Sequence, residues 1–280
     1  MADRWYETGG EQITAIDSHA HVFVRGLPLA PQRRHAPDYD ATLDAYAGHL
    51  LANGVSHAVL VQPSFLGTDN SFFIDVIKRY PRRFRGVAVV DCSFTDAELV
   101  SLDRSGVVGM RLNLIGLAIP DLRTPAWQRL FARINALGWH VEVHRQAADL
   151  HDVVRPLLEQ GCTVVIDHFG RPDPHAGADD PGFKYLLSIG GTGRVWVKLS
   201  AAYRSAVDDS GVTVGTGLAS ALVDAYTPGR LVWGSDWPHT QHQQLTDYDA
   251  TRRALDQWIP DAAEREVILA RSARELYRFE

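Results

Sequence analysis

Two clusters of polar side chains, far apart in the chain, stop short apolar runs abruptly. At one, Leu231-Val232-Trp233-Gly234-Ser235 ends in Asp236, and Pro238 prevents the backbone from continuing as a regular strand. At the other, Ala15-Ile16-Asp17-Ser18 leads into His19-Ala20-His21. Imidazoles two residues apart on an extended strand point to the same side, where they can bind a divalent metal or hold an oxyanion. A carboxylate facing them can activate water. His168 and His144 each follow a similar apolar run, and Arg111, Arg171 and Arg204 stand near further ones. An arginine at the end of a buried strand needs an anionic partner, either an internal carboxylate or a substrate anion.

The elements that position these residues alternate. Strands are expected over 13–18, 56–62, 85–90, 107–112, 139–143, 163–167, 194–199 and 230–235. Helices are expected over 41–52, 70–80, 96–104, 125–137, 149–160, 182–189 and 214–226, with two more near 248–258 and 262–277. Thr95 or Asp96 caps the helix at 96, and Asn53-Gly54 closes the helix over 41–52. The strands read as continuous apolar runs, as parallel strands covered on both faces do. Eight strand–helix units in 280 residues predict an α/β fold, a single (β/α)8 TIM barrel with extra C-terminal helices. Its rival, an open doubly wound sheet, usually carries a glycine-rich loop where this chain has His19-Ala20-His21.

Barrel chemistry sits at the C-terminal ends of the strands. Those positions hold His19 and His21, Gln62 and Ser64, Arg111 and Asn113, His144 and Arg145, His168 and Arg171, Ser200 and Arg204, and Asp236. Residues 22–40 form a long loop rich in Pro and Arg. His239 and His242 are expected in the loop beyond Asp236. His35, His49, His57, His140, His151 and His175 lack a spacing partner and are expected to be structural or solvent-facing.

The composition is that of an ordinary globular enzyme, 45% hydrophobic and 22% charged. A net charge of −6 without a basic tract argues against nucleic acid and anionic lipid as partners. No apolar run reaches the roughly 20 residues that span a bilayer. Cys92 and Cys162 are too far apart in sequence to suggest a disulfide framework, which fits a cytoplasmic location. Residues 1–12, with Asp3, Glu7 and Glu11, read as a flexible polar leader and not as a secretory signal; the barrel domain is expected over 13–280.

Taken together, Ile16-Asp17-Ser18-His19-Ala20-His21-Val22-Phe23, Gly109-Met110-Arg111-Leu112-Asn113, Gly138-Trp139-His140-Val141, Asp167-His168-Phe169-Gly170-Arg171-Pro172-Asp173 and Trp233-Gly234-Ser235-Asp236-Trp237-Pro238-His239 resemble the amidohydrolase superfamily, in the amidohydrolase-2 branch that contains 2-pyrone-4,6-dicarboxylate lactonases. The resemblance runs in order from about residue 13 to the C-terminus. It implies a lactone hydrolase acting on a small anionic cyclic ester such as the pyrone dicarboxylate or a muconolactone. Asp236 would be the base, His19, His21 and His168 the groups on the carbonyl, and Arg111, Arg171 and Arg204 the anion holders. His144, Asn113, Gln62 and Ser64 would complete the substrate site. A sugar-acid lactone isomerase or lactonase, or a metal-dependent decarboxylase, is the alternative within the superfamily.

The chain departs from the lactonase pattern at three places. Ile115-Gly116-Leu117 stands where a second arginine is found, His144 where a tyrosine is found, and His35 at the place of a loop tyrosine. Metal-using relatives ligate through residues matching His19, His21, His144 and Asp236, so the resemblance allows either no cofactor or one divalent ion, Zn²⁺. Either a monomer or a homo-oligomer is compatible with it.

Overall fold

The computed structural model describes residues 5–6, 12–207 and 211–280. Eight parallel strands lie side by side in sequence order. They are β1 (Ile16–Ala20), β2 (His57–Val61), β3 (Phe84–Ala88), β4 (Val107–Asn113), β5 (His140–His144), β6 (Thr163–Ile166), β7 (Val195–Leu199) and β8 (Leu231–Trp233). Between and after them run α1 (Leu43–Ala52), α2 (Ser71–Arg79), α3 (Asp96–Arg104), α4 (Pro125–Ala136), α5 (Leu150–Glu159), α6 (Pro181–Ser188), α7 (Val212–Tyr226), α8 (Tyr248–Trp258), α9 (Ala262–Glu266) and α10 (Ser272–Tyr277). The architecture is the expected TIM barrel with added C-terminal helices.

Local chemistry accounts for the helix ends. The Thr95 hydroxyl accepts from the Glu98 amide while the Glu98 carboxylate takes the Thr95 amide, a complete capping box. Pro125 and Pro181 open their helices, where the missing N–H costs nothing. The single helix expected over 262–277 is instead interrupted by a π turn at Val267–Arg271, one residue too many for the α ladder. The strands are shorter than expected at β6 and β8, and β5 extends through His144.

The barrel is joined at its seam through loop backbone. Ala20 bridges Trp237, the Asp236 amide donates to the His19 carbonyl at 2.9 Å, and the His21 amide donates to the Trp237 carbonyl at 2.8 Å. Gly234 permits this approach, because a Cβ there would lie 2.6 Å from Cβ of His19. Asp17, fully buried, ties the seam further by accepting from the Ser235 amide (2.9 Å), the Ser235 hydroxyl (2.6 Å) and the Tyr46 hydroxyl (2.8 Å).

Two apolar regions result. The larger packs the helices on the outer face of the sheet; the smaller fills the barrel with Ile16, Val59, Val108, Val165, Trp196 and Val232, sealed below by Tyr277 and Phe279 from the end of the chain. Alternation along β5 and β7 sends His140, Glu142 and His144, and Trp196 and Lys198, inward. Of the leader, Trp5 is buried, with its indole N–H donating to the Val55 carbonyl at 2.8 Å. Residues 1–4 and 7–11 of the leader lie outside the described residues. Among the described residues no helix is long and apolar enough to cross a membrane.

Candidate active site

Asp236 is placed by a strained turn. Its φ is +60°, in the left-handed region that Asp tolerates better than most residues, and the His239 amide closes the turn onto its carbonyl at 2.7 Å. The two carboxylate oxygens have different tasks. Oδ2 accepts from the Tyr203 hydroxyl at 2.5 Å and from Nε and Nη2 of Arg204 at 3.0 and 2.9 Å. Oδ1 faces three imidazoles, with Nε2 of His19 at 3.7 Å, of His168 at 3.7 Å and of His21 at 3.9 Å. These gaps are too long for direct hydrogen bonds and leave Oδ1 without a direct donor from any of the three rings.

Burial opposes ionisation of Asp236, but the Arg204 guanidinium and the neighbouring imidazoles outweigh it and hold the carboxyl well below the usual range. Burial foremost holds His19, His21 and His168 down at about 3, so all three are neutral near pH 7. Their tautomers follow from their partners. Nδ1 of His21 must donate to the Val61 carbonyl at 2.7 Å, which leaves Nε2 with a lone pair. Nδ1 of His168 meets the Ser200 hydroxyl at 2.8 Å, which can act either way.

Beneath the imidazoles lies a layer of buried charge. Lys198 contacts Glu142 and lies 3.4 Å from Asp167 and 3.0 Å from Nδ1 of His19. Arg111 pairs with Asp167 at 2.8 Å and with Glu142 at 3.3 Å. Burial and the Asp167 charge raise Glu142, whereas Lys198, His19 and Arg111 overcome burial and hold Asp167 well below the usual range. Each charge in this layer has opposite charges beside it, as so deep a location requires. The loop after β6 is strained as well, with His168, Phe169 and Arg171 all at positive φ, near +55°. It is pinned by the Ala147 amide donating to the Arg171 carbonyl at 3.0 Å.

Most of the expected residues converge. A cleft of about 550 Å³, open to solvent, is lined by His21, His144, His168, Asp236, Arg111, Arg171, Arg204, Ser64 and Asn113, together with Arg34 and His35. Gln62 does not line it. Its side-chain amide instead donates to the Gly67 and Asp69 carbonyls at 3.0 and 2.7 Å and staples the loop after β2.

His144 stands apart from the metal set expected for it. The Arg111 guanidinium, which can only donate, lies 3.3 Å from its Nδ1, so the ring proton is on Nε2. The ligand atoms that do gather within 4.8 Å of one another are those of His19, His21 and Asp236, and of His19, Asp167 and His168. The first set fits a divalent cation, since Nε2 of His19 is buried without a hydrogen-bond partner and Nε2 of His21 carries a lone pair.

Glu142, Asp167, Lys198, Tyr203 and Arg34 were not among the site residues expected from sequence. A lone acid in His140-Val141-Glu142-Val143-His144 and a lone lysine in Val195-Trp196-Val197-Lys198-Leu199 are signals of an inward-facing charged layer. Tyr203 lies in a short 3-10 turn after β7 and Arg34 in the loop after β1, and neither gives a comparable signal.

Known proteins resemble this chain in sequence and in fold. A family model described as amidohydrolase matches residues 16–279. The 2-pyrone-4,6-dicarboxylate hydrolase of Comamonas testosteroni is 33% identical over 262 residues, 89% of this chain and 84% of the relative. The 4-sulfomuconolactone hydrolase of Hydrogenophaga intermedia is 30% identical over 268 residues, 93% of this chain and 88% of the relative. A crystal structure from Acinetobacter baumannii, described as a probable 2-pyrone-4,6-dicarboxylic acid hydrolase with citric acid bound, superimposes with a TM-score of 0.92 at 40% identity, covering 95% of this chain and all of the other.

Proposed function

This chain belongs to the amidohydrolase family, and from that premise we propose that it is a lactone hydrolase, opening a small carboxylate-bearing cyclic ester such as 2-pyrone-4,6-dicarboxylate or a muconolactone. The observation that carries the reading is the division of labour within Asp236. Oδ2 is saturated by Tyr203 and Arg204, while Oδ1 is left facing three neutral imidazoles.

A water hydrogen-bonded to Oδ1 gives it a proton as the water oxygen adds to the ring carbonyl. Nε2–H groups of His19 and His168 hold the developing oxyanion in a buried, preorganised setting. The tetrahedral carbon then collapses, the bond to the ring oxygen breaks, and that oxygen leaves with the proton returned from Asp236. One water is consumed, and the new carboxylic acid ionises at neutral pH. Arg111, Arg171 and Arg204 bias the cleft towards anions, and the Nε2–H of His144, buried and without a protein acceptor, offers a donor to a substrate oxygen.

If a divalent ion is present, His19, His21 and Asp236 would hold it, and it would supply Lewis acidity and a more acidic water. The test is stoichiometric: purified protein with 2-pyrone-4,6-dicarboxylate or muconolactone should release one titratable acid per ring opened, without CO₂. Release of CO₂, or a product isomeric with the lactone, would replace hydrolysis by decarboxylation or isomerisation.

A further inference from the structure

Ser200 directly follows β7 and is fully buried beside the site without lining the cleft. Its Oγ lies 2.8 Å from Nδ1 of His168, and among the described residues that ring nitrogen is the one hydrogen-bond partner of the hydroxyl. Both partners are rigidly held. β6 pairs with β7 through Ile166 and Val197, which brings the two strand exits side by side. The backbone of His168 is left-handed, at φ +53°, and its turn is closed by the Gly170 amide on the Asp167 carbonyl and the Arg171 amide on the His168 carbonyl, each at 2.9 Å.

The proton between Ser200 and His168 has two places to be. If Nδ1–H donated to Oγ, the serine hydrogen would be buried without an acceptor. The Nε2 lone pair would then face Oδ1 of Asp236, 3.7 Å away. If Oγ–H donates to Nδ1, the hydrogen is satisfied and an N–H faces the carboxylate instead. A buried donor without a partner is costly, and an anion attracts an N–H and repels a lone pair, so both differences favour the second arrangement.

We infer that Ser200 is a positioning residue: its hydroxyl donates to Nδ1 of His168, fixes the ring proton on Nε2 and so makes His168 a donor to the oxygen on which charge develops. His21 is fixed the opposite way by the Val61 carbonyl at its Nδ1. One backbone carbonyl and one serine hydroxyl thus give two neighbouring imidazoles opposite roles. The catalytic consequence rests on the lactone-hydrolase reading; the tautomer does not.

Nitrogen-15 NMR of histidine-labelled wild type near pH 7.5, with the His168 signals assigned by their absence in His168→Gln, should show Nε2 protonated and Nδ1 bare. Ser200→Ala should shift the Nδ1 signal, because the nitrogen loses its donor. It should also lower kcat on 2-pyrone-4,6-dicarboxylate or muconolactone by roughly 10- to 100-fold, the scale of one buried polar group left unpaired, with KM within about twofold. The loss falls on kcat because the oxyanion contact is made in the transition state. Ser200→Thr keeps the hydroxyl and should recover kcat to within about fivefold of wild type. A His168 proton on Nδ1 in the wild type, an unchanged kcat in Ser200→Ala, or equal losses in the alanine and threonine variants would overturn the inference. If the wild type opens neither lactone, the lactonase reading fails and NMR alone decides. An Nε2 proton with an Nδ1 signal that depends on Ser200 then sustains the tautomer assignment, and an Nδ1 proton overturns it.

Discussion

The ammonium of Lys198 lies 3.0 Å from Nδ1 of His19, at the floor of the site and fully buried. A lysine can only donate, so this contact puts the His19 ring proton on Nε2, facing Asp236. A carboxylate competes for the same nitrogen: Oδ1 of Asp167 is 3.3 Å away and would draw the proton back to Nδ1, freeing Nε2 for a metal. The balance between these partners sets what His19 presents to the reacting atoms.

Lys198→Met should therefore have two effects. It leaves Glu142 and Asp167 to share Arg111 alone, and breaking so buried a pair should destabilise the fold by about 3–5 kcal/mol, read from urea unfolding. Because the Lys198 charge also helps depress His19, its removal should raise the His19 pKa from about 3, and the acid limb of kcat/KM should move to higher pH. A stability loss with an unmoved limb would make Lys198 structural only.

Asp236→Asn preserves shape and removes the base. Loss of general-base catalysis should lower kcat by about 10²- to 10⁴-fold. The variant should still unfold cooperatively, since an amide oxygen can accept from Arg204 and Tyr203 in place of Oδ2. Activity within a few-fold of wild type would move water activation elsewhere, with His168 the next candidate by position.

The strand ends were legible because parallel strands covered on both faces read as apolar runs and the barrel rule places polar residues where they stop. His19, His21, His168 and Asp236 stand at such ends. Gln62 is also a polar strand-end residue, but its side chain turns to loop carbonyls. The layer below the site was not legible for a related reason. Treating β5 and β7 as uniform apolar runs hid the alternation that points Glu142 and Lys198 into the barrel. Arg34 was beyond reach, because a proline- and arginine-rich loop has no periodicity to say which of its side chains folds back. The π turn at Val267–Arg271 was equally silent, carrying no Gly or Pro to mark it.

The donor set at His19, His21 and Asp236 makes a prediction that does not depend on activity. Zn²⁺ at 100 times its dissociation constant should stabilise wild-type protein by about 2.7 kcal/mol, read as a rise in Tm. His21→Leu should abolish that rise. His144→Phe should leave it intact, because Nδ1 of His144 is engaged by Arg111 and Nε2 carries the proton. A zinc response lost in His144→Phe would restore the ligand set expected from the family resemblance, and no response in the wild type would leave Asp236 to activate water without metal.

His140 provides a measure of what buried imidazoles cost at low pH. It sits inside the barrel against Gly109 and Tyr277, with neither ring nitrogen hydrogen-bonded. Burial first, then the charges of Lys198 and Arg278, hold its pKa at about 3. Above the unfolded value, near 6.5, both states are neutral and pH has no effect through this group. Below it the unfolded chain gains a proton that the folded protein rejects, so stability falls as pH drops from about 6.5 towards 3. Each such group steepens that fall by about 1.4 kcal/mol per pH unit. His140→Leu should remain within about 1 kcal/mol of wild type at pH 7.5, because two unsatisfied nitrogens are lost with the ring. Between pH 6 and 4.5 its stability should decline less steeply by about that one-proton slope. Urea unfolding across this range checks it, and parallel curves for the two proteins would mean that His140 takes up its proton in the folded state.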